Sequence, residues 1–120
     1  MEPIRVRLYL KWDIPAPWYE QEFEGKEGTL VWAVKGGWGD LQCSVELDEP
    51  HSRFGKFCNM CYISVGGIRS NEVLAEPLNA TIEDCYRLAR LIDDNWKRFR
   101  TPQGDPLPWK VVSERLPNEE

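Results

Sequence analysis

Hydrophobic and polar residues alternate along two segments in the first half of the chain, 4–12 and 40–47. A period of two predicts β-strands with one buried and one exposed face. Between them, the segment 29–35 is apolar on both faces, which is typical of a strand that is covered on both sides. The glycine-rich stretch 36–39 joins the second strand to the third and therefore predicts a hairpin.

The second half of the chain begins with two further strand patterns, at 57–65 and 72–76. Beyond them the period changes, and the apolar positions are three or four residues apart: Ile82, Cys85, Ala89, Ile92, Trp96 and Phe99. This spacing predicts one amphipathic helix, which begins after an N-cap at Thr81 with Asp84 three residues later. The segment 109–112 predicts a short edge strand or an extended tail.

Strands first and one long helix last predict an α+β fold. We expect an antiparallel β-sheet of four to five strands with one long C-terminal α-helix packed on one face. The length of 120 residues suits a single domain over 1–120, because a chain of this size buries one core and is too short for two. We expect the tail 113–120 to fray.

Charge restricts the classes of partner. The 15 basic and 20 acidic residues give a net charge of −5, which disfavours nucleic acids and anionic membranes and favours a basic partner. Arg5, Arg7 and Lys11 share the outer face of the first strand, but so few cations in an acidic chain indicate a solvated face and make direct nucleic-acid binding the weaker hypothesis. No apolar run approaches the roughly 20 residues that cross a bilayer, and the N-terminus lacks the signal-peptide pattern. We therefore expect no membrane partner and a cytoplasmic location.

The segment 13–28 has no periodicity and predicts a long acidic loop. Its only lysine or arginine is Lys26, and its acids are Asp13, Glu20, Glu22, Glu24 and Glu27. Such a loop would complement a basic surface on a target and speed the encounter with it. The alternative is a solvated loop without a partner.

The six tryptophans are an excess for a chain of this length. Three lie in predicted strands or in the predicted helix and are expected in the core: Trp12, Trp32 and Trp96. Trp18, Trp38 and Trp109 lie in predicted loops, where a large aromatic side chain either folds back over the core edge or contacts a partner. Both alternatives stay open for Trp18 and Trp38, whereas Trp109 is expected to fold back.

Cys58 and Cys61 form a CxxC pair seven residues after the single histidine, His51. Two thiolates at this spacing can share one tetrahedral zinc ion. However, the pair falls in a predicted strand, where residues three apart point to opposite faces. We therefore predict buried or free thiols and no metal site, with zinc bound by Cys58, Cys61 and His51 as the alternative. His51 itself is predicted to be a solvated loop residue.

Catalysis has little support in the sequence. With one histidine, the remaining arrangements are a carboxylate pair or a couple of Cys58 with His51. The stretch 36–39 lacks the GK[ST] ending of a phosphate-binding loop and leads into a strand. We expect a protein that is not an enzyme and that carries no cofactor.

The sequence therefore predicts a non-catalytic protein-binding module that covers a basic surface of a target protein. A stoichiometric inhibitor of the immunity or counter-defence type is one form that it would take. The candidate partner-binding residues are Trp18, Tyr19, Glu20, Glu22, Glu24, Trp38 and Asp40. The alternatives are a small structural zinc-binding domain and a carbohydrate or small-ligand binder that uses the loop tryptophans.

Overall fold

The five strand patterns in the sequence all form strands. The computed structural model describes residues 1–12, 15–37, 39–64 and 71–117, and for Tyr19 the backbone alone. The strands within these ranges are β1 (Arg5–Lys11), β2 (Glu27–Lys35), β3 (Leu41–His51), β4 (Gly55–Ile63) and β5 (Glu72–Pro77). The predicted hairpin of β2 and β3 is confirmed, because the two strands pair antiparallel.

The described strands close into a five-stranded mixed barrel in sequence order. Each of β1, β2 and β3 pairs antiparallel with the strand that follows it. The last strand returns to the first, and β5 pairs antiparallel with β1, with Leu8 opposite Ala75. The remaining junction is parallel and joins β4 to β5 through Tyr62 and Leu74.

The α+β class is confirmed, but the predicted open antiparallel sheet with one long helix is wrong. The reason lies in the return of β5 to β1, which joins residues more than sixty positions apart and leaves no local pattern in the sequence. Two C-terminal helices follow the barrel, in place of the single helix that the apolar spacing predicted.

The first of these helices begins where the sequence places it. A one-turn helix precedes it in the chain, α1 (Trp18–Gln21), so this helix is α2 (Ile82–Asp93). Thr81 caps α2, and the side chain of Asp84 accepts from the Thr81 backbone N–H at 2.9 Å. The predicted continuation to Phe99 is wrong, because α2 ends at Asp93 and a separate 3₁₀ helix spans Trp96–Phe99.

Because α2 ends before Trp96, one residue that was predicted to lie in the core has a different position. Trp96 is 46% exposed, whereas Phe99 is buried. Trp32 is buried as predicted, and Trp12 is half-buried. The expected core position of Trp96 is therefore wrong, since the apolar stripe does not continue along one helix.

The predicted strand or tail at 109–112 is helical instead. It forms the start of α3 (Trp109–Arg115), which follows Pro108 at the N-cap. Proline suits the start of a helix because its fixed φ matches the helical backbone and its missing N–H would have no partner there. Val112 is buried, and Trp109 and Leu116 pack partly against the core, so the apolar positions are spaced for a helix face. Trp109 is thus folded back, as predicted.

The strand predicted to be covered on both sides is β2. Leu30, Val31, Trp32 and Ala33 are all buried, and both α2 and α3 contact this strand. The C-terminal segment also lies over the outer face of β3, where Glu46 Oε1 accepts from the Trp109 backbone N–H at 3.1 Å. No helix within the described residues combines the length and the apolar character that crossing a bilayer requires.

Candidate functional site

Trp18 is the most exposed large hydrophobic side chain among the described residues, with 71% of its surface accessible. It opens α1, whose turn is held by local bonds: the backbone N–H groups of Glu20 and Gln21 donate to the Pro17 carbonyl at 2.9 and 3.2 Å. The Gln21 side chain donates to the Ala16 carbonyl at 2.7 Å. Because this turn is fixed by its own backbone, Trp18 is presented to solvent and does not plug the core edge.

Arg53, in the turn between β3 and β4, links Trp18 to a second exposed aromatic residue. Its guanidinium carbon lies 5.5 Å from the Trp18 ring centroid and 5.8 Å from that of Phe54. Phe54 is 47% exposed and stacks on the buried Phe23 with centroids 5.8 Å apart. This contact joins two turns that are far apart in the chain, so no local sequence pattern indicates it.

Beside these aromatic residues lies a cavity of about 300 Å³, here named the Glu20 pocket. Its walls are mainly apolar and aromatic: Phe23, Phe54, Phe57, Cys58, Met60 and Val73. Met60 is 57% exposed at its rim. Phe54 and Met60 are exposed lining residues of this pocket, and Arg53 connects Phe54 to the exposed Trp18.

Glu20 supplies the acidic group of the pocket. Its Oε2 is buried and has no hydrogen-bond partner among the described residues. Burial raises the pKa of Glu20, and the nearby Glu72 carboxylate raises it further. A buried carboxylate oxygen without a donor is costly, so this atom is a natural acceptor for a cation that enters the pocket.

The other two acidic candidates in the loop serve the fold. Glu22 accepts from both the backbone N–H and the hydroxyl of Ser52, and these bonds lower the pKa of Glu22. Glu24 accepts from the Leu10 backbone N–H. Both carboxylates therefore tie the loop to its neighbours, although they also line an acidic cleft of about 450 Å³ with Glu27, Asp48 and Glu49.

Two further candidates lie near the hairpin of β2 and β3. Trp38 lies outside the described residues, as does the side chain of Tyr19. Asp40, a candidate partner-binding residue, is buried with 4% of its surface exposed. The turn folds inward here, because the Asp40 carbonyl accepts from the Gly36 N–H at 2.7 Å and the Tyr86 hydroxyl donates to the Gly39 carbonyl.

His51 is buried, so its expected place in a solvated loop is wrong. Its Nδ1 accepts from the backbone N–H groups of Arg53 and Phe54 at 3.0 and 3.2 Å. Its ring packs against Phe23 and Phe54 with centroids 4.4 and 4.9 Å apart. His51 thereby fixes the turn that carries Arg53 and Phe54.

The two cysteines of the CxxC pair point to the same side, contrary to the expectation for a regular strand. Cys43 pairs with Cys61 and Val45 with Cys58, so two residues of β4 oppose the single Ser44 of β3. This is a β-bulge, and it reverses the alternation. Cys58 and Cys61 are both buried, and their two thiols interact.

Burial governs the chemistry of the thiols. Cys43, Cys58, Cys61 and Cys85 are all free and buried. Burial raises the pKa of Cys43, and it raises that of Cys85 to about 11. The hydrogen bond between the Cys61 thiol and the Cys58 side chain, together with burial, raises the pKa of Cys61. Within residues 1–12, 15–37, 39–64 and 71–117, no group of three or more His, Cys, Asp or Glu side chains is arranged to hold a metal ion.

A second cleft, which the sequence did not indicate, lies on the outer face of β2, β3 and β4. It has a volume of about 520 Å³ and contains Trp32, Trp96 and Arg100. The Arg100 guanidinium carbon lies 3.9 Å from the Trp32 ring centroid. Arg100 follows the 3₁₀ helix, so the break after α2 is what places it over the sheet.

These two cavities share Met60 and Asn59, the residues of the β-bulge. One cavity offers a carboxylate and the other a guanidinium. Comparison with known protein families, with curated proteins and with solved structures finds no match for this chain.

Proposed function

We propose that this protein is a non-catalytic binding module that covers a basic surface of another protein through Trp18, Phe54, Met60 and the Glu20 pocket. The observation that carries the proposal is the exposure of Trp18, at 71%, beside a pocket that holds a buried and unpartnered carboxylate oxygen. Tryptophan is among the residues enriched at the energetic centres of protein interfaces.

The apolar part of the surface supports a protein partner. Trp18 and Phe54 flank Arg53, and Phe54 and Met60 line one pocket. Three large exposed apolar side chains in one place are unusual for a monomer and mark an interaction surface.

Charge supports a basic partner. A lysine or arginine side chain in the Glu20 pocket would donate to the carboxylate and would lie against the faces of Phe54 and Phe57. It would also offset the repulsion from the Glu72 carboxylate that raises the pKa of Glu20. The net charge of −5 would speed the encounter with such a surface.

An inhibitor that blocks the basic surface of a toxin or of a nucleic-acid-handling enzyme is one protein of this kind. The proposal requires stoichiometric binding and no turnover. The salt dependence of binding distinguishes this proposal from the alternative that Trp18 binds a carbohydrate. Affinity for a basic protein surface falls as ionic strength rises, whereas affinity for a neutral sugar does not.

The test is to capture the partner from the native host, to purify it, and to measure its affinity by calorimetry at two salt concentrations. We expect Trp18→Ala and Glu20→Gln each to weaken binding at least tenfold, because they remove a central aromatic residue and the charge of the pocket. We expect Glu20→Gln also to reduce the salt dependence.

Trp96→Ala is the matched control, since Trp96 is exposed and lines a different cleft. It should leave the affinity unchanged. Reversal of charge at Glu22 or Glu24 is a poor test, because both carboxylates hold the loop in place. Wild-type affinity in folded Trp18→Ala and Glu20→Gln variants would refute the proposal.

A further inference from the structure

We propose that the cleft between Trp32, Trp96 and Arg100 binds a small carboxylate ligand with an apolar or aromatic body. The proposal does not rest on the protein-binding function above, because it uses the neighbouring cavity and the opposite charge, although the two cavities share Asn59 and Met60. The volume of about 520 Å³ lies within the range of small-molecule sites.

Arg100 provides the recognition of the anion. Its Nη1 donates to Asn59 Oδ1 at 2.6 Å and to the Gly104 carbonyl at 3.4 Å, and its Nη2 donates to Ser44 Oγ at 3.1 Å. A guanidinium has five N–H donors. Three are engaged, which leaves one donor on Nε and one on Nη2. A carboxylate can accept one hydrogen bond on each of its two oxygens from two such donors on neighbouring nitrogens, which makes a bidentate pair.

In the part of the chain that the structure describes, no acid touches the Arg100 guanidinium, although the charge of Asp105 acts on it from farther away. Among the described residues no carboxylate lies within ion-pair distance of its guanidinium, and the acceptors that hold it are all neutral. Burial also lowers the pKa of Arg100. A partly desolvated cation held by neutral groups would gain from an anionic partner.

Trp32 adds a second polar group without a partner. It lines the cleft and is 7% exposed, and its Nε1–H has no acceptor among the described residues. A buried donor of this kind costs free energy until an acceptor reaches it. Because this N–H is closed off from solvent, Trp32 contributes its ring to the cleft under Arg100, and the donors for a ligand are those counted on Arg100.

The remaining lining selects for charge and shape. The charged residues that line the cleft are Lys35, Arg100 and Asp93. The local charge is therefore positive, although the whole chain is acidic. Trp96 and Met60, 46% and 57% exposed, supply an apolar wall. An aromatic or branched aliphatic body would pack against this wall, with its carboxylate at Arg100.

The test uses hydrocinnamate, an aromatic carboxylate, and its uncharged isostere hydrocinnamide. Binding is followed by NMR through the indole N–H signals of the tryptophans, with Trp32 and Trp96 assigned from Trp→Phe variants. We expect hydrocinnamate to shift both signals with a millimolar Kd or tighter, as suits a ligand of this size. We expect hydrocinnamide to bind at least tenfold more weakly.

Variants separate recognition from folding. We expect Arg100→Gln to weaken hydrocinnamate binding at least tenfold, because it removes the charge and the paired donors. Arg98→Gln is the matched control, since Arg98 is exposed and outside the lining of the cleft, and it should bind as the wild type does. Arg100→Gln also uncovers Trp32, so Trp96→Ala serves as a second variant with little risk to the fold. It should weaken hydrocinnamate but not acetate.

The result that would overturn the proposal is equal binding of the acid and the amide, or unchanged affinity in folded Arg100→Gln. Loss of affinity in Glu20→Gln would also count against it, because Glu20 lies outside this cleft. Wild-type hydrocinnamate binding by Glu20→Gln, together with weaker partner binding by the same variant, would support both proposals as separate sites.

Discussion

Gly28, in β2, shows how closely two strands of this barrel approach each other. A Cβ atom at this position would meet the Glu46 carbonyl oxygen and Cγ1 of Val45 in β3. Both atoms belong to a paired strand and have no room to move away. We expect Gly28→Ala to lower the free energy of unfolding by about 2–3 kcal/mol, as overpacking does, measured by urea denaturation.

Gly37→Ala is the control for this prediction. Gly37 lies in the turn after β2, and a Cβ atom there would meet nothing within 4 Å. It should change the free energy of unfolding by less than about 0.5 kcal/mol. Equal effects of the two substitutions would show that the close approach at Gly28 is not what limits the side chain.

Residue-scale predictions from the sequence failed where an irregularity changed the direction of a side chain. Cys58 and Cys61 were expected on opposite faces, and the bulge at Asn59 and Met60 puts them on one. A bulge depends on the partner strand and has no reliable local signal. His51 was expected in solvent because it follows a proline in a polar segment, but its imidazole supplies the acceptor that two turn N–H groups need.

At the scale of elements, the start of α2 is the feature most firmly fixed by short-range chemistry. The Thr81 hydroxyl accepts from the Asp84 N–H at 3.2 Å, and Asp84 accepts from the Thr81 N–H in return. We expect Thr81→Ala to destabilise the protein by about 1 kcal/mol at neutral pH, measured by chemical denaturation.

The same cap has a pH dependence. Hydrogen bonds from the backbone and side chain of Thr81 lower the pKa of Asp84 in the folded state. A lowered pKa gives stabilisation that is present above the unfolded-state value and is lost as the pH falls through the folded-state value. The difference in the free energy of unfolding between wild type and Thr81→Ala should therefore become smaller in acid.

Ser113→Ala is the control for the cap, since Ser113 donates within α3 to the Lys110 carbonyl and caps nothing. It should stay within about 0.5 kcal/mol of wild type at both pH values. A Thr81→Ala variant as stable as Ser113→Ala would contradict the role of the cap.

Elements whose boundaries depend on short-range chemistry were predictable, and those shaped by distant packing were not. Thr81 and Asp84 correctly predicted the start of α2. The spacing of Trp96 and Phe99 did not predict its end, because it suits a 3₁₀ turn as well as an α-helix. Val111 and Val112 favour a strand by propensity. The packing of Val112 against the core, with Trp109 and Leu116 beside it, makes this segment helical instead.

For the whole molecule, the sequence predicted the strands but not how they close. Leu8 pairs with Ala75, but nothing in the sequence around either residue indicates the other as its partner. The proposed binding surface was predictable to the same degree. Trp18 and Glu20 stood out by composition, whereas Phe54, Met60 and Arg100 become part of a surface only through the barrel and the break after α2.

The stability of the whole molecule tests the zinc alternative. The buried thiols lie within an apolar core, and the described residues form no cluster that would bind a metal ion. We expect excess EDTA to leave the thermal transition unchanged. A structural zinc site contributes on the order of 10 kcal/mol to folding, so a lower Tm after chelation would restore the hypothesis of a site that uses Cys58 and Cys61.

The junction of β4 and β5 lies at the proposed binding pocket, so partner binding would affect how readily these strands separate. Among the described residues these strands share one pair, Tyr62 with Leu74, whereas β5 and β1 share six. Local opening follows the weakest junction, and the Glu20 pocket spans it, with Phe57 on one strand and Val73 on the other. A partner seated there would hold the two strands together. Binding would therefore slow amide hydrogen exchange in β4 and β5, and a substitution that loosens this junction would cost affinity without touching the partner.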